Sequence, residues 1–467
     1  MNALLIVAAL VLGFCVAFMV PTYGPSAILL CLMLAVIAGY IISKIKLENK
    51  FLLQMFVAGL LVRMLVGAGI FIFNKHDFFG GDAFTYDILG DMLLDYWRTG
   101  SAVHKATLDQ RDVGWGMINL VAATYGLVGR NMLAVQFVNA VIGAATAPVI
   151  FLCAHHIFGN MRVSRVATIF VAFYPSLVLW SAQGLKDGPM VFLLAISMLA
   201  TLKLGERISL KYILMLLGAL VGVLSLRFYV FYMMVAAIGG SFVIGMNAFS
   251  AQSLARQYLV IIALGLAMLQ FGVLNSAMRR AETINLEAVQ SSRLDMAKSG
   301  QSGFGQDVDV STTSGALTTI PIGMIYLLFA PFPWQLASLR QSITLPEMVV
   351  WWLSFPLLVM GLWFTLKYKM RQALPILIFT TMLTIAYSVF QGNVGTAYRQ
   401  RSQLLIFYFI FVSVGYELVR ERAEDRRRQA ELTKQQATLM GARAAARRRQ
   451  EREWERIADS ISEKVGF

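Results

Sequence analysis

Apolar runs of bilayer length recur along this 467-residue chain and set the terms for any fold it can adopt. A buried strand needs about 4–8 apolar residues and a buried helix about 10–14, whereas a hydrocarbon core about 30 Å thick is crossed by about 20. Hydrophobic residues make up 58% of the chain and charged residues 14%, where a soluble protein carries about 25% charged. A soluble globular enzyme is therefore excluded. So is an outer-membrane β-barrel, whose strands read as alternating segments of ~10 residues. The predicted fold class is an all-α polytopic membrane protein.

Twelve segments read as spanning helices: 3–20, 26–43, 51–73, 132–156, 165–181, 188–204, 210–226, 228–247, 257–274, 346–366, 373–390 and 402–418. A further apolar run, 316–334, carries Pro321, Pro331 and Pro333, which break a continuous helix. It is predicted to be re-entrant or interfacial, its backbone covered by protein or water. The N-terminus lacks the basic region of a signal peptide, so the first run reads as a retained span. Four basic clusters then fall on one side: Lys44, Lys46 and Lys50; Arg162 and Arg165; Lys203, Arg207 and Lys211; and Lys367, Lys369 and Arg371. Short basic loops are retained in the cytoplasm, which predicts an inner-membrane, multi-pass protein with both termini cytoplasmic. The net charge of +14 is read as this topological bias, with no nucleic-acid partner. Cys15, Cys31 and Cys153 all lie in apolar runs, so no disulfide or zinc framework is indicated.

Three regions follow: two N-terminal spans (1–50), a transmembrane core (51–418) with long outer loops at 74–131 and 275–315, and a tail (419–467). The stretch 74–112 has seven aspartates against four bases. Within the first loop, 113–128 reads as a surface segment, while 299–315 is rich in Ser, Gly and Gln. From residue 420 the tail has 13 Lys/Arg and nine Asp/Glu, a solvated cytosolic helix near anionic headgroups, broken at Gly441.

Ionisable groups at span ends are costly and mark functional candidates. The expected topology collects several on the outer side: Asp82 in FFGGDAFTYD, with Tyr86 and Asp87 behind it; Asp187 in SAQGLKDGP; Arg227 in LSLRFYVF; and Arg399 and Arg401 in GNVGTAYRQRSQ. Two carboxylates facing several guanidiniums suit a phosphate-linked substrate. A carboxylate accepts a proton from an acceptor hydroxyl, and arginines bind phosphate and stabilise it as it leaves. Pooled carboxylates also suit a divalent metal. Bland readings stand beside these: Asp82 as a turn or cap residue, Asp187 as a helix cap neutralised by Lys186, and Arg399 and Arg401 reaching to headgroups. Arg63 lies inside a span with no clear partner. His155 and His156 have no acid pair nearby in sequence, and His76 and His104 stay open.

The order of these elements resembles the bacterial GT-C superfold, membrane glycosyltransferases related to the protein mannosyltransferases and the lipid A aminoarabinose transferase. The likeness rests on Gly80-Gly81-Asp82…Tyr86-Asp87, on LVGRNMLAVQFVNAVIGAATAPVIFLCAHHIFG, on FYPSLVLWSAQGLKDGPMVFLLAISMLA and on GNVGTAYRQRSQLLIFYFIF, across about residues 51–418. The resemblance implies inverting transfer of a sugar from a polyprenyl-phosphate donor to a glycan, lipid or protein acceptor at the periplasmic face. It implies Asp82 as base or metal ligand, with Asp87 as second choice, Asp187 as a second acid, and Arg399 and Arg401 on the carrier phosphate. Asp82 stands alone where many members have an adjacent acidic pair, which weakens the case for a metal. Three other readings use the same features: a repeat-unit polymerase or ligase, a lipid-linked glycan transporter, and a non-catalytic envelope scaffold acting through the tail.

Overall fold

The structure, a computed structural model, describes residues 3–109, 114–245, 251–270, 272, 278, 285–299, 302–305, 308–336 and 339–465. Expected features at 110–113, 246–247, 273–277, 279–284, 300–301 and 306–307 lie outside them. Met1–Gly415 forms one compact unit and Tyr416–Phe467 a second.

The first unit opens with α1 (Ala3–Met19), α2 (Gly24–Ser43) and α3 (Asn49–Ile72). The expected loop 74–131 is itself helical where described: α4 (His76–Gly80), α5 (Asp82–Thr99), α6 (Ala102–Asp109) and α7 (Trp115–Val128). Then come α8 (Met132–Phe158), α9 (Met161–Phe173), α10 (Pro175–Ser181), α11 (Asp187–Glu206), α12 (Leu210–Leu226), α13 (Phe228–Ile244), α14 (Ala251–Gln270) and α15 (Leu286–Ser299). The chain closes with α16 (Thr313–Phe329), α17 (Leu339–Tyr368), α18 (Met370–Phe390), α19 (Val394–Gln400) and α20 (Ser402–Val465).

Among the described residues, seven helices are long and apolar enough to cross a membrane: α2, α3, α8, α11, α17, α18 and α20; the pair α9–α10, bent by 52°, makes an eighth if counted as one span. The remaining expected spans correspond to shorter apolar helices, α1, α12, α13 and the apolar part of α14. The run at 316–334 forms one helix that passes through Pro321 and ends at Phe329, before Pro331 and Pro333. Gly441 does not break α20.

Helix α8 is the hub, with α2, α3, α9 and α11 packed on it. Asn131 caps its start, accepting from the Ala134 amide at 3.1 Å and donating to Tyr23 O at 2.9 Å, which ties α8 to the α1–α2 turn. Its small residues let neighbours approach closely: a Cβ on Gly143 would lie 2.4 Å from Ser181 Cβ. On the outside, Leu4, Phe14 and Phe18 of α1 and Leu353 and Trp363 of α17 are exposed, an apolar surface suited to lipid.

The bend between α9 and α10 explains Arg63. Pro175 has no amide to give Val171 O, the carbonyl that a continuous helix would pair with it. Arg63 is buried and supplies the missing donors: Nη2 to Val171 O at 3.3 Å, Nη1 to Ala172 O at 2.7 Å and Nε to Ser181 Oγ at 2.7 Å.

Candidate active site

Four separate elements deliver charge to one place. Asp82 is the first residue of α5 and Asp187 the first of α11; Arg227 sits in extended backbone between α12 and α13, and Arg399 lies on α19. The hinge before Asp187 is fixed from α8, where the buried Asn139 donates to Gln183 O at 2.6 Å and Leu185 O at 2.8 Å. On the α3 side, a Cβ on Gly67 would come within 2.6 Å of Ala182 O.

Arg399 bridges both carboxylates: Nη1 to Asp82 Oδ2 at 2.7 Å and Nε to Asp187 Oδ2 at 2.7 Å. Arg227 Nη2 takes the other oxygen of Asp187 at 2.9 Å, and its Nη1 donates to Tyr229 Oη at 2.7 Å. Arg399 also lies over the Trp180 ring, 5.6 Å from its centre, which adds a cation–π contact. The two carboxylates differ sharply. Asp187 is 1% exposed, with each oxygen held by a different guanidinium; Asp82 is 56% exposed and only its Oδ2 is engaged. Each carboxylate sits one residue past the N-cap of its helix, Gly81 for α5 and Lys186 for α11.

Asp82, Lys186, Arg227 and Arg399 line a cavity of about 850 Å³, at the upper end of ordinary ligand sites. Leu179, Trp180, Leu339 and Ile343 give it an apolar side, and Ser302, Asn393, Thr396 and Gln341 a neutral polar one. Burial pushes the Lys186 ammonium down to about 8, helped by Arg227 and Arg399 and opposed by Asp187 and Asp82. Burial, then the Asp82 and Asp187 charges, push the Tyr86 hydroxyl up to about 12. Burial works against the Arg399 charge, but Asp187 and Asp82 more than offset it and raise its pKa.

Two expected site residues lie elsewhere. Arg401 is buried and caps the end of α16: Nη1 donates to Leu328 O at 3.0 Å and Nη2 to Ala330 O, beside Trp351 Nε1 on Leu328 O at 2.7 Å. Helix-end carbonyls need such donors, so this guanidinium is not turned to the cavity. Asp87 accepts from Tyr125 Oη at 2.5 Å and Arg130 Nη2 at 2.6 Å, pinning α5 to α7 and to the start of α8. His76 meets Gln136 at 3.0 Å, His104 meets Asp95 at 2.9 Å and His156 lies 3.6 Å from Glu206. Lys186 and Asn139 were not among the expected site residues; the only signal for Lys186 was its place beside Asp187, and for Asn139 a polar residue inside an apolar run.

The donor set does not fit a divalent metal. Both carboxylates of the cluster are ion-paired with Arg399, and among the described residues no three possible ligands lie close enough to hold an ion.

Comparison with known proteins adds to this geometry. Residues 116–274 match the family model described as dolichyl-phosphate-mannose-protein mannosyltransferase. The matched stretch holds Asp187 and Arg227, and it agrees with the likeness to the protein mannosyltransferases drawn from the motifs. Among solved structures, ArnT from Cupriavidus metallidurans bound to undecaprenyl phosphate is 13% identical over 64% of this chain and 49% of its own, with a TM-score of 0.41. The archaeal oligosaccharyltransferase AglB from Archaeoglobus fulgidus, in complex with an inhibitory peptide and a dolichol-phosphate, is 12% identical over 68% of this chain and 43% of its own, with a TM-score of 0.41. The apo form of the Archaeoglobus fulgidus oligosaccharyltransferase is 12% identical over 80% and 52%, with a TM-score of 0.45. The chain spans about half the length of these structures. No curated protein matches it.

Proposed function

We infer that this chain transfers a sugar from a polyprenyl-phosphate donor to an acceptor at the periplasmic face of a bacterial inner membrane. The observation that carries the reading is the meeting of Asp82, Arg227 and Arg399, drawn from positions up to 317 residues apart, at one cavity, with the buried Asp187 bonded to both arginines behind them. Purely structural ion pairs do not require a cavity of this size beside them. The family matched over 116–274 is described by a dolichyl-phosphate-linked sugar, a class of donor that paired arginines suit.

The two aspartates take different parts. Asp187, with both oxygens engaged, is a positioning residue that aims Arg227 and Arg399 at the donor phosphate. Asp82 keeps Oδ1 open and is the base. The acceptor oxygen attacks the anomeric carbon as its proton passes to Asp82, and the bond from that carbon to the phosphate oxygen breaks. The charge gathering on the departing phosphate is met by the guanidiniums, already held in place before the reaction. Backside attack of this kind inverts the anomeric centre.

The direct test compares Asp82→Asn with Asp187→Asn in purified protein. Loss of a general base lowers turnover by about 10²–10⁴-fold. Asp82→Asn is expected to fall in that range with donor affinity kept, while Asp187→Asn loses donor affinity too. Equal effects on both constants in the two variants would contradict the division of roles.

A further inference from the structure

Lys186 is the one charged side chain of the cluster that, among the described residues, makes no hydrogen bond or ion pair. Its surroundings are crowded. Its Nζ lies 3.8 Å from the point a Cβ on Gly114 would occupy, and Tyr86 Oη lies 3.4 Å from that same point. The backbone leading to it is held by Asn139, and α11 begins at the next residue. It lines the cavity beside Arg227 and Arg399. A half-buried ammonium next to two guanidiniums is a costly arrangement unless an anion completes it. Arg227 Nε is buried and has no acceptor among the described residues. Both oxygens of Asp187 already accept from the arginines, Oδ1 from Arg227 and Oδ2 from Arg399.

We propose that Lys186 is a third contact to the donor phosphate, its ammonium meeting a phosphate oxygen that Arg227 and Arg399 leave open. The proposal rests on the phosphate reading of the site given above. A lysine serves here as a compact point charge, whereas each arginine brings a planar fork. One consequence separates it from the arginines. With its ammonium pushed down to about 8, Lys186 is charged at pH 7 and neutral at pH 9, so donor affinity falls as pH rises through about 8. Among the described residues, the groups facing it are Asp82 and Tyr86 of α5, Asp187 of α11, Arg227 and Arg399. Tyr86, pushed up to about 12, does not titrate in that window, and the ion pairs that hold Asp187 down and Arg227 and Arg399 up move those groups further from it. A phosphate monoester has its own second ionisation near pH 6, below the window.

The test is equilibrium binding of farnesyl phosphate to the purified full-length protein between pH 7 and 9. The wild type is expected to lose about tenfold in affinity across this range, the scale of one charge-assisted hydrogen bond. Lys186→Met should bind about tenfold more weakly at pH 7 and show a flat profile. Lys186→Arg should keep the affinity at pH 7 and lose the decline. Wild-type binding by Lys186→Met, or a decline that persists in Lys186→Arg, overturns the proposal. If Lys186→Met does not fold, Lys186→Arg decides alone through its profile. Weakened binding in Arg399→Ala with none in Lys186→Met sinks the lysine but keeps the phosphate site, whereas no binding by the wild type at any pH sinks both.

Discussion

Arg399 joins Asp82 to Asp187, and Arg227 holds the far oxygen of Asp187, so removing either arginine acts on the carboxylates as well as on the proposed phosphate contact. Asp187 is 1% exposed. Left with one guanidinium it becomes a poorly compensated buried charge, and breaking such a pair costs about 3–5 kcal/mol. Arg227→Ala is therefore expected to lower the thermal midpoint as well as donor binding. Arg399→Lys keeps a charge but loses the two-sided bridge, so it is expected to weaken donor binding with a smaller loss of stability. Arg401 belongs to another class. Its donors cap the carbonyls at the end of α16, and orphaning a buried acceptor costs about 1–3 kcal/mol. Arg401→Met should lower the thermal midpoint and leave the donor affinity of the folded fraction unchanged; an affinity loss at full stability would contradict this assignment.

Element geometry explains which residues the sequence made legible. The sequence places Arg399 and Arg401 together in GNVGTAYRQRSQ and assigns both to the carrier phosphate. Arg399 lies on α19 and Arg401 follows it in helical backbone, and positions two apart on a helix lie about 200° apart around its axis. One arginine therefore faces the cavity while the other faces α16. The same rule applies at α5, where Tyr86, four residues after Asp82, shares its face, and Asp87 turns toward Tyr125 and Arg130. Hydropathy located the long spans because bilayer length leaves a mark on composition. It could not reveal that Arg63 stands in for the amide that Pro175 lacks, since that pairing joins residues 108 and 109 positions apart. Prolines were a weaker signal than expected: Pro321 lies within α16, whereas Pro175 opens α10 at the bend. The hinge before Asp187 gives an element-level prediction. Asn139→Leu removes both of its bonds to that hinge and is expected to reduce turnover at least tenfold, because small displacements of positioned groups are costly to catalysis. A wild-type rate in that variant would show that the hinge is held without it.

At the scale of the molecule, the compact unit Met1–Gly415 contains every residue of the cluster, and Tyr416–Phe467 none. A chain ending at residue 419 is accordingly expected to bind the donor with the affinity of the full chain. Loss of transfer in that truncation, alongside normal transfer in Asp82→Ala, would favour a scaffold working through the tail. On the proposed function, the apolar side of the cavity suits a lipid chain and the ionic cluster its phosphate. The most direct check is a single-turnover measurement of sugar transfer from a polyprenyl-phosphate donor by wild-type protein and Asp82→Asn at matched protein levels. The account expects donor to bind both and transfer in the variant to fall by at least 100-fold; transfer at the wild-type rate would contradict it.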